Sequence, residues 1–545
     1  MVNLRRELGA LFLFLASVQV GLTACGRPPG EANTLSLTLT ASALKLAPGQ
    51  SSTLGIQVSA TTVLKSAVLL ASVGEGQSEL PAGLSVAFEP AELTVSPSAM
   101  GQFRVAALPT AAVGTYSLII TARSDEYEQS ARLKVTLSGA GQGWVREAGS
   151  PGSEVLSTVA VDSTGSLYVG GQTTGSLGGL PNAGQFDGYL LKYQPSGALV
   201  WARTLATASS DVITAIAVDA ADNIYAAGYT YGSFPGNMNA GKADGFVAKY
   251  NAGGTQLWLR QLGTAEIDQL TALAVDPTGG VVVLGATEGG FGLLMNRGPL
   301  GTSDAVVIKL SADGQQVYAQ QLGTDMNERP TGIAVDAAGA AYVVGSTQGT
   351  FQGATALGGY DLFVFKLLAD GNLSWLRQEG TGYDDQLSAA LIDSKGGLAA
   401  VGWTRGSMVG QTQSGGQDAL LLGYGPDGKR QLTRQFGTSY NDVLNGLTRV
   451  GDTLYAVGST RGAFPDQIPS GSADIFTVRF NADGGVGWLT QLGTDQSDSG
   501  NGIAATATTL YLGGTTFGTF EGQFLQGDSD GIIVQLLGAA TAQGY

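Results

Sequence analysis

The residues of this chain best spaced to do chemistry are carboxylates that recur at one position of a repeated segment. Glu154, Asp211, Asp268, Glu328, Asp385, Asp442 and Asp498 each stand ten residues after a member of an aromatic or apolar column, Trp144, Trp201, Trp258, Tyr318, Trp375, Leu432 and Trp488. A ring of such acids suits calcium, which takes several oxygen ligands, or a cationic group drawn by the field of the ring. The competing reading is structural, because a short acidic side chain accepts backbone N–H groups within its own turn. Seven identical positions favour that second role, since a binding site ordinarily breaks symmetry. The sequence therefore predicts loop capping at these acids. Calcium is the one metal they would hold, and no catalytic residue or other cofactor is assigned.

Composition narrows the chemistry further. The chain has no histidine and one cysteine in 545 residues. It lacks the usual proton shuttle at neutral pH and the commonest transition-metal ligand. Zinc, copper, haem and iron–sulfur sites lose their normal ligands, and Ser-His-Asp or Cys-His catalysis cannot be assembled. With 44 acids against 28 Lys and Arg there is no basic excess to track phosphates, so the charge balance disfavours nucleic acid and none is expected as a partner. The 83 glycines and 13% charged residues fit short strands joined by tight turns.

The segment that carries the acids has a period of about 57 residues and occurs seven times between Trp144 and Asp530. A G-x-T-x-G block follows each acid, beginning at Gly171, Gly228, Gly285, Gly345, Gly402, Gly458 and Gly514. A second acid comes next, at Asp187, Asp244, Asp304, Asp361, Asp418, Asp474 and Asp530. Such a period means a propeller or solenoid, in which each repeat buries its faces against its neighbours. The fourth copy predicts strands at residues 331–335, 340–344, 361–367 and 373–377, with an Asp-Gly turn before the last. Four antiparallel strands make one blade. The two acid columns then fall at one face, so fourteen carboxylates are expected to share one surface. No Lys-Ser/Thr follows the G-x-T-x-G blocks, so they read as close strand packing rather than phosphate loops.

With these quartets the chain resembles the SBBP family of bacterial beta-propeller repeats, and the order G-I-A-V-D, Y-V and a D-G turn is similar to NHL-type blades. The resemblance covers about 390 residues and implies a seven-bladed β-propeller. The repeats begin on a fourth-type strand at Trp144 and end after a third-type strand at Ile532 to Leu536. Ring closure is therefore expected by residues 144–147 supplying the outer strand of the last blade. The Trp column is expected to be buried between blades.

Ahead of the repeats, Arg5 and Arg6 precede an apolar run from Leu8 to Leu22, the pattern of a signal peptide. Leu22-Thr23-Ala24-Cys25 resembles the lipobox of bacterial lipoproteins, which implies cleavage before Cys25 and lipid attachment to it. By the same analogy Gly26, in place of Asp, implies the outer membrane of a two-membrane envelope. Residues 34–138 alternate apolar and polar residues in short runs, the pattern of an antiparallel sandwich. Gly114-Thr115-Tyr116-Ser117-Leu118 resembles the tyrosine-corner strand of immunoglobulin-like domains, with Leu118 where a disulfide cysteine would stand. The expected organisation is a signal peptide over 1–24, a lipid-anchored linker over 25–33, an immunoglobulin-like β-sandwich over 34–138, a linker over 139–143, the seven-bladed β-propeller of four-stranded blades over 144–537 and a tail over 538–545.

The reading that follows is an all-β, exported protein held to the bacterial cell envelope through lipid on Cys25, whose propeller binds, adheres or scaffolds without catalysing. Its ligand is expected to be a polysaccharide or a protein at the propeller face. Tyr231, Tyr383, Trp403 and Tyr440 lie in or near the loops of that face and suit stacking on sugar rings. The rival is a carbohydrate-active enzyme, a carboxylate glycosidase or a calcium-assisted lyase. That rival needs acids that break the symmetry, and Asp384 beside Asp385 and Asp325 near Glu328 are the few on offer.

Overall fold

The computed structural model describes residues 35–46, 51–61, 64–73, 80, 84–107, 114–125, 127–137 and 141–537, the last without 293, 300, 466, 468, 521 and 522. Cys25, the expected signal peptide, the linker over 25–33 and the tail over 538–545 lie outside the described residues. All named elements are strands. The chain divides into two compact units, of which the second runs Gly143–Leu536.

In the first unit, alternating sequences give alternating burial. Phe103, Val105 and Ala107 point inward while Gln102 and Arg104 are exposed. One sheet holds Leu35–Leu39, Ser51–Ala60, Ser98–Ala107 and Leu84–Glu89 in that order. The other holds Ala43–Leu46, Glu128–Leu137, Gly114–Arg123, Leu64–Val73 and Glu92–Val95. Apolar residues of both sheets, among them Ile56, Phe103, Leu118 and Val135, form one core. Leu118 is fully buried there, so the position expected in place of a cysteine is filled by apolar packing.

The second unit contains seven four-stranded antiparallel sheets. Six are contiguous in sequence, over 154–205, 211–262, 268–322, 328–379, 385–436 and 442–492, and are called here the first to sixth sheets. The seventh, or closing, sheet takes Asp498–Ala505, Thr509–Thr516 and Asp530–Leu537 from the end of the repeats and Gly141–Ala148 from their beginning. The expected 139–143 linker thus overlaps this outer strand, which starts at Gly141. The innermost strand of each sheet packs on that of the next, and Asp498–Ala505 packs on Glu154–Val161, so the succession closes on itself.

Two expectations about the strands are corrected. In the fourth sheet the first strand is Glu328–Val335 and the second Ala341–Thr347, so the acid and the start of the G-x-T-x-G block lie in strands rather than in loops. The reason is a bulge, since the pairing slips between Pro330 and Gly332 opposite Gly345. A Cβ on Gly345 would stand 2.3 Å from the Arg329 carbonyl oxygen, and the same clash recurs at Gly171, Gly228 and Gly402. The bulge lengthens the first strand and makes the block glycine obligatory.

Packing between sheets explains the aromatic column. Trp201 lies against Gly254, the positive-φ glycine of the next sheet's turn, and its indole N–H donates to the Ala252 carbonyl at 3.3 Å. Trp144 repeats this across the closure, donating to Pro195 at 2.9 Å. Trp488 faces the closing sheet, whose third and outer strands belong to opposite ends of the repeats, and its indole nitrogen is buried without a partner among the described residues.

Candidate functional site

Each acid of the first column opens an innermost strand and is at most 1% exposed. The fourteen carboxylates therefore do not form a surface, and even the most exposed, Asp474, is 2% accessible. The loop that enters the strand wraps around each side chain. At Asp385, the Thr381 backbone N–H donates at 2.5 Å and its hydroxyl at 3.0 Å, while the Thr404 hydroxyl donates to the other oxygen. A backbone N–H four residues upstream caps every member of the column, from Ser150 on Glu154 to Thr494 on Asp498. The Thr of the G-x-T-x-G block adds its hydroxyl to Glu154, Asp268, Glu328, Asp385 and Asp442. Those donors compete for the oxygen atoms that a calcium ion would need, while Asp211 Oδ1 and Asp498 Oδ1 are buried with no partner among the described residues. Among the described residues no three acids stand close enough together to hold a metal.

Burial raises the pKa of all seven above the usual carboxylate range, and the Thr and Ser donors oppose it. The effect is largest at Glu328, which is pushed up to about 7 by burial, with the nearby Asp304 adding to the rise.

The second column opens the third strands. Asp361 accepts the backbone N–H groups of Leu357 at 2.8 Å and Gly358 at 3.0 Å, closing the preceding loop. A small residue separates the two columns, Ala206 in one copy and glycine in the other six, and at Gly323 nothing larger fits. A Cβ on Gly323 would lie 1.9 Å from Asp304 Oδ1 and 2.7 Å from Glu328 Oε2.

Sequence reasoning missed a third partner. Gln261, Gln321, Gln378, Gln435 and Gln491 each donate from Nε2 to the second acid of their sheet, at 2.7 to 3.0 Å. The same amide donates to a loop carbonyl and accepts a backbone N–H, as Gln378 does with Gly349 and Phe351. The signal was a glutamine three residues after the aromatic column in these five copies. In the closing sheet that position is Glu147. Its Oε1 accepts the Phe520 N–H at 3.2 Å, but among the described residues Oε2 is buried with no partner, and so is Asp530 Oδ1. Burial raises the Glu147 pKa, the Phe520 N–H opposes this, and the Asp530 and Asp498 charges raise it again.

Of the expected aromatics, Tyr231, Tyr383 and Tyr440 are well exposed and Trp403 is half-buried. Tyr231 lines a cleft of about 340 Å³ with Gln185, Ala208, Ser209 and Ser210. Asp384 is not paired with Asp385 for chemistry. It binds Arg405 at 3.1 Å, while Asp385 faces into its own loop.

Comparison with known proteins supplies the rest. The chain is similar over 435 residues to the regulatory protein FlaEY of Caulobacter vibrioides, at 26% identity, covering 73% of this chain and 42% of that protein. An uncharacterized WD repeat-containing protein of Acanthamoeba polyphaga mimivirus is 28% identical over 155 residues, which are 26% of this chain and 10% of the viral protein. The chain spans less than half the length of both curated relatives. Among solved structures, a puromycin hydrolase overlaps with TM-score 0.41 at 13% identity, covering 66% of this chain and 50% of that one. A quinonprotein alcohol dehydrogenase-like protein of Bacteroides thetaiotaomicron overlaps with TM-score 0.34 at 9% identity, covering 83% and 94%. Residues 200–235, from the outer strand of the first sheet into the second, match the SBBP family, a beta-propeller repeat, so this all-β chain contains a propeller repeat of that type.

Proposed function

We propose that this chain is a lipid-anchored surface protein of the bacterial envelope that presents a seven-bladed propeller, behind an immunoglobulin-like sandwich, to bind a ligand without chemical conversion. One observation carries the reading. The carboxylates at the strand ends are buried and committed to their own loops, while large apolar and aromatic side chains, Met238, Met295, Tyr383, Tyr440 and Phe524, stand out from the loops between sheets and between strands. Exposed aromatic and thioether groups suit recognition of a partner or a sugar polymer. An inverting or retaining glycosidase needs two accessible carboxyl groups flanking a bond, and a buried, capped acid does not offer one.

The deciding experiment incubates the soluble Cys25→Ser full-length chain with glycan and protein arrays and then analyses the bound glycans for new chain ends. Capture without new reducing ends or unsaturated products is the expected result. Cleavage of a captured glycan would replace this reading with that of a carbohydrate-active enzyme.

A further inference from the structure

One junction of the ring differs from the junction between the second and third sheets at six positions together. Between the fourth and fifth sheets stand Arg329, Tyr360, Tyr383, Asp384, Trp403 and Arg405. The equivalent positions between the second and third sheets hold Val212, Ala243, Glu266, Ile267, Ala286 and Glu288. Repeat chemistry explains the buried columns, which are alike all round the ring. It does not explain this cluster.

The six residues are physically continuous. The Arg329 guanidinium lies 3.9 Å from the centre of the Tyr360 ring. The Tyr360 backbone N–H donates to Asp384 Oδ1 at 3.1 Å, and Arg405 Nη1 donates to Asp384 Oδ2 at the same distance. Arg405 in turn lies 5.7 Å from the Trp403 ring centre. Tyr383, next to Asp384, is 63% exposed. Arg329 has no carboxylate partner among the described residues. The Arg405–Asp384 pair is open to water on both sides, so its net attraction is small and Arg405 can exchange its partner at little cost. Stacking on a ring holds a guanidinium with its donor edge outward, the geometry that grips a carboxylate bidentately.

A smaller version of this unit stands at the next junction, between the fifth and sixth sheets. Tyr440 takes the place of Tyr383 and Arg461 that of Arg405, and both are exposed. Two successive pairs of exposed tyrosine and arginine match a ligand whose own units repeat. In a chain of net charge −16, arginines gathered on one arc with exposed rings between them select an anionic polymer that also has flat apolar faces.

We propose that the arc over the fourth to sixth sheets binds a carboxylated polysaccharide. Arg329, Arg405 and Arg461 take its carboxylates, and Tyr383, Trp403 and Tyr440 stack on its rings. The inference rests on the binding reading above and names its ligand class. Acidic protein segments share the carboxylate but lack the sugar ring, which assigns them to the test.

The test is affinity electrophoresis of the soluble Cys25→Ser full-length chain in gels containing alginate, dextran or poly-glutamate, beside Tyr383→Ala, Arg405→Ala, their double variant and, as a control at an equivalent position, Glu266→Ala. Tyr383 and Arg405 are exposed, Glu266 is partly exposed and paired with Lys242 at 2.5 Å, and thermal melts verify that each variant folds. Alginate is expected to retard the chain, with affinity falling about tenfold in each single variant and unchanged in Glu266→Ala. Dextran should not retard it. Retardation by alginate that survives the double variant would overturn the site while leaving a binding propeller in place. No retardation by alginate, or equal retardation by poly-glutamate, would overturn the ligand class, and the array capture above would still decide whether the propeller binds anything.

Discussion

At the scale of single residues, Asp385 shows how a repeated acid column serves the fold. Three donors from two residues close around it, so its loop is ordered by the carboxylate itself. Asp385→Asn should cost about 1–3 kcal/mol in urea unfolding, because one buried donor loses a charged acceptor. The loss should be the same in calcium and in a chelator. A calcium-dependent stabilisation of the unaltered chain that vanishes in this variant would instead make the acids ligands. Glu328 gives a pH signature. Its pKa rises from 4.5 to about 7 on folding, so its protonated form stabilises the native state fully below pH 4.5 and that contribution is lost as pH rises through about 7. Glu328→Gln should flatten the stability profile between those limits, measured by thermal melts across pH, and an unchanged slope would refute the shift. The positions of these acids were legible in the sequence. Their burial was not, because it depends on a hydroxyl from the next strand closing over them.

At the scale of elements, the closing sheet is the one built from both ends of the repeats, and Glu147 is its weak point. In the second to sixth sheets a glutamine amide joins the third-strand acid to a loop carbonyl, whereas Glu147 places near Asp530 a carboxylate oxygen with no partner among the described residues. Glu147→Gln should therefore stabilise the protein by about 1–3 kcal/mol at neutral pH. The raised pKa of Glu147 means its protonated form helps below pH 4.5 and the help is lost as pH rises through the raised value, so the gain from glutamine should be greater at pH 8 than at pH 4. Equal gains at both pH values would show that charge is not the cause. Deleting residues 144–148 removes the outer strand altogether and should leave the Asp530–Leu537 edge open to pairing. Aggregation and a lower melting temperature are expected, and an unaltered melt would contradict the assignment of this strand. The outer strand itself could be read from the sequence, since the repeats start and stop out of phase. The Glu147–Asp530 conflict could not, because its partners are separated by nearly the whole repeat region.

At the scale of the whole molecule, the proposed lipid anchor is assigned to Cys25, and Cys25→Ser is expected to move the protein from the membrane fraction to the soluble fraction in cell fractionation. Unchanged partition would refute the lipid anchor. What the sequence determined by itself was everything with a local cause. Alternating apolar residues set the strands, turn glycines set the hairpins, and a period of about 57 residues set the number of sheets, since each copy must bury its faces on the next. Even the need for glycine at Gly345 is local in origin, although the carbonyl that enforces it comes from the bulged neighbouring strand. Tertiary structure alone decided which polar groups meet water. The repeated acids turned inward because donors from separate strands surround them. Arg329, Tyr360, Asp384 and Arg405 came together because two successive sheets meet at their loop ends, and that meeting depends on packing between sheets, which no spacing within one repeat encodes.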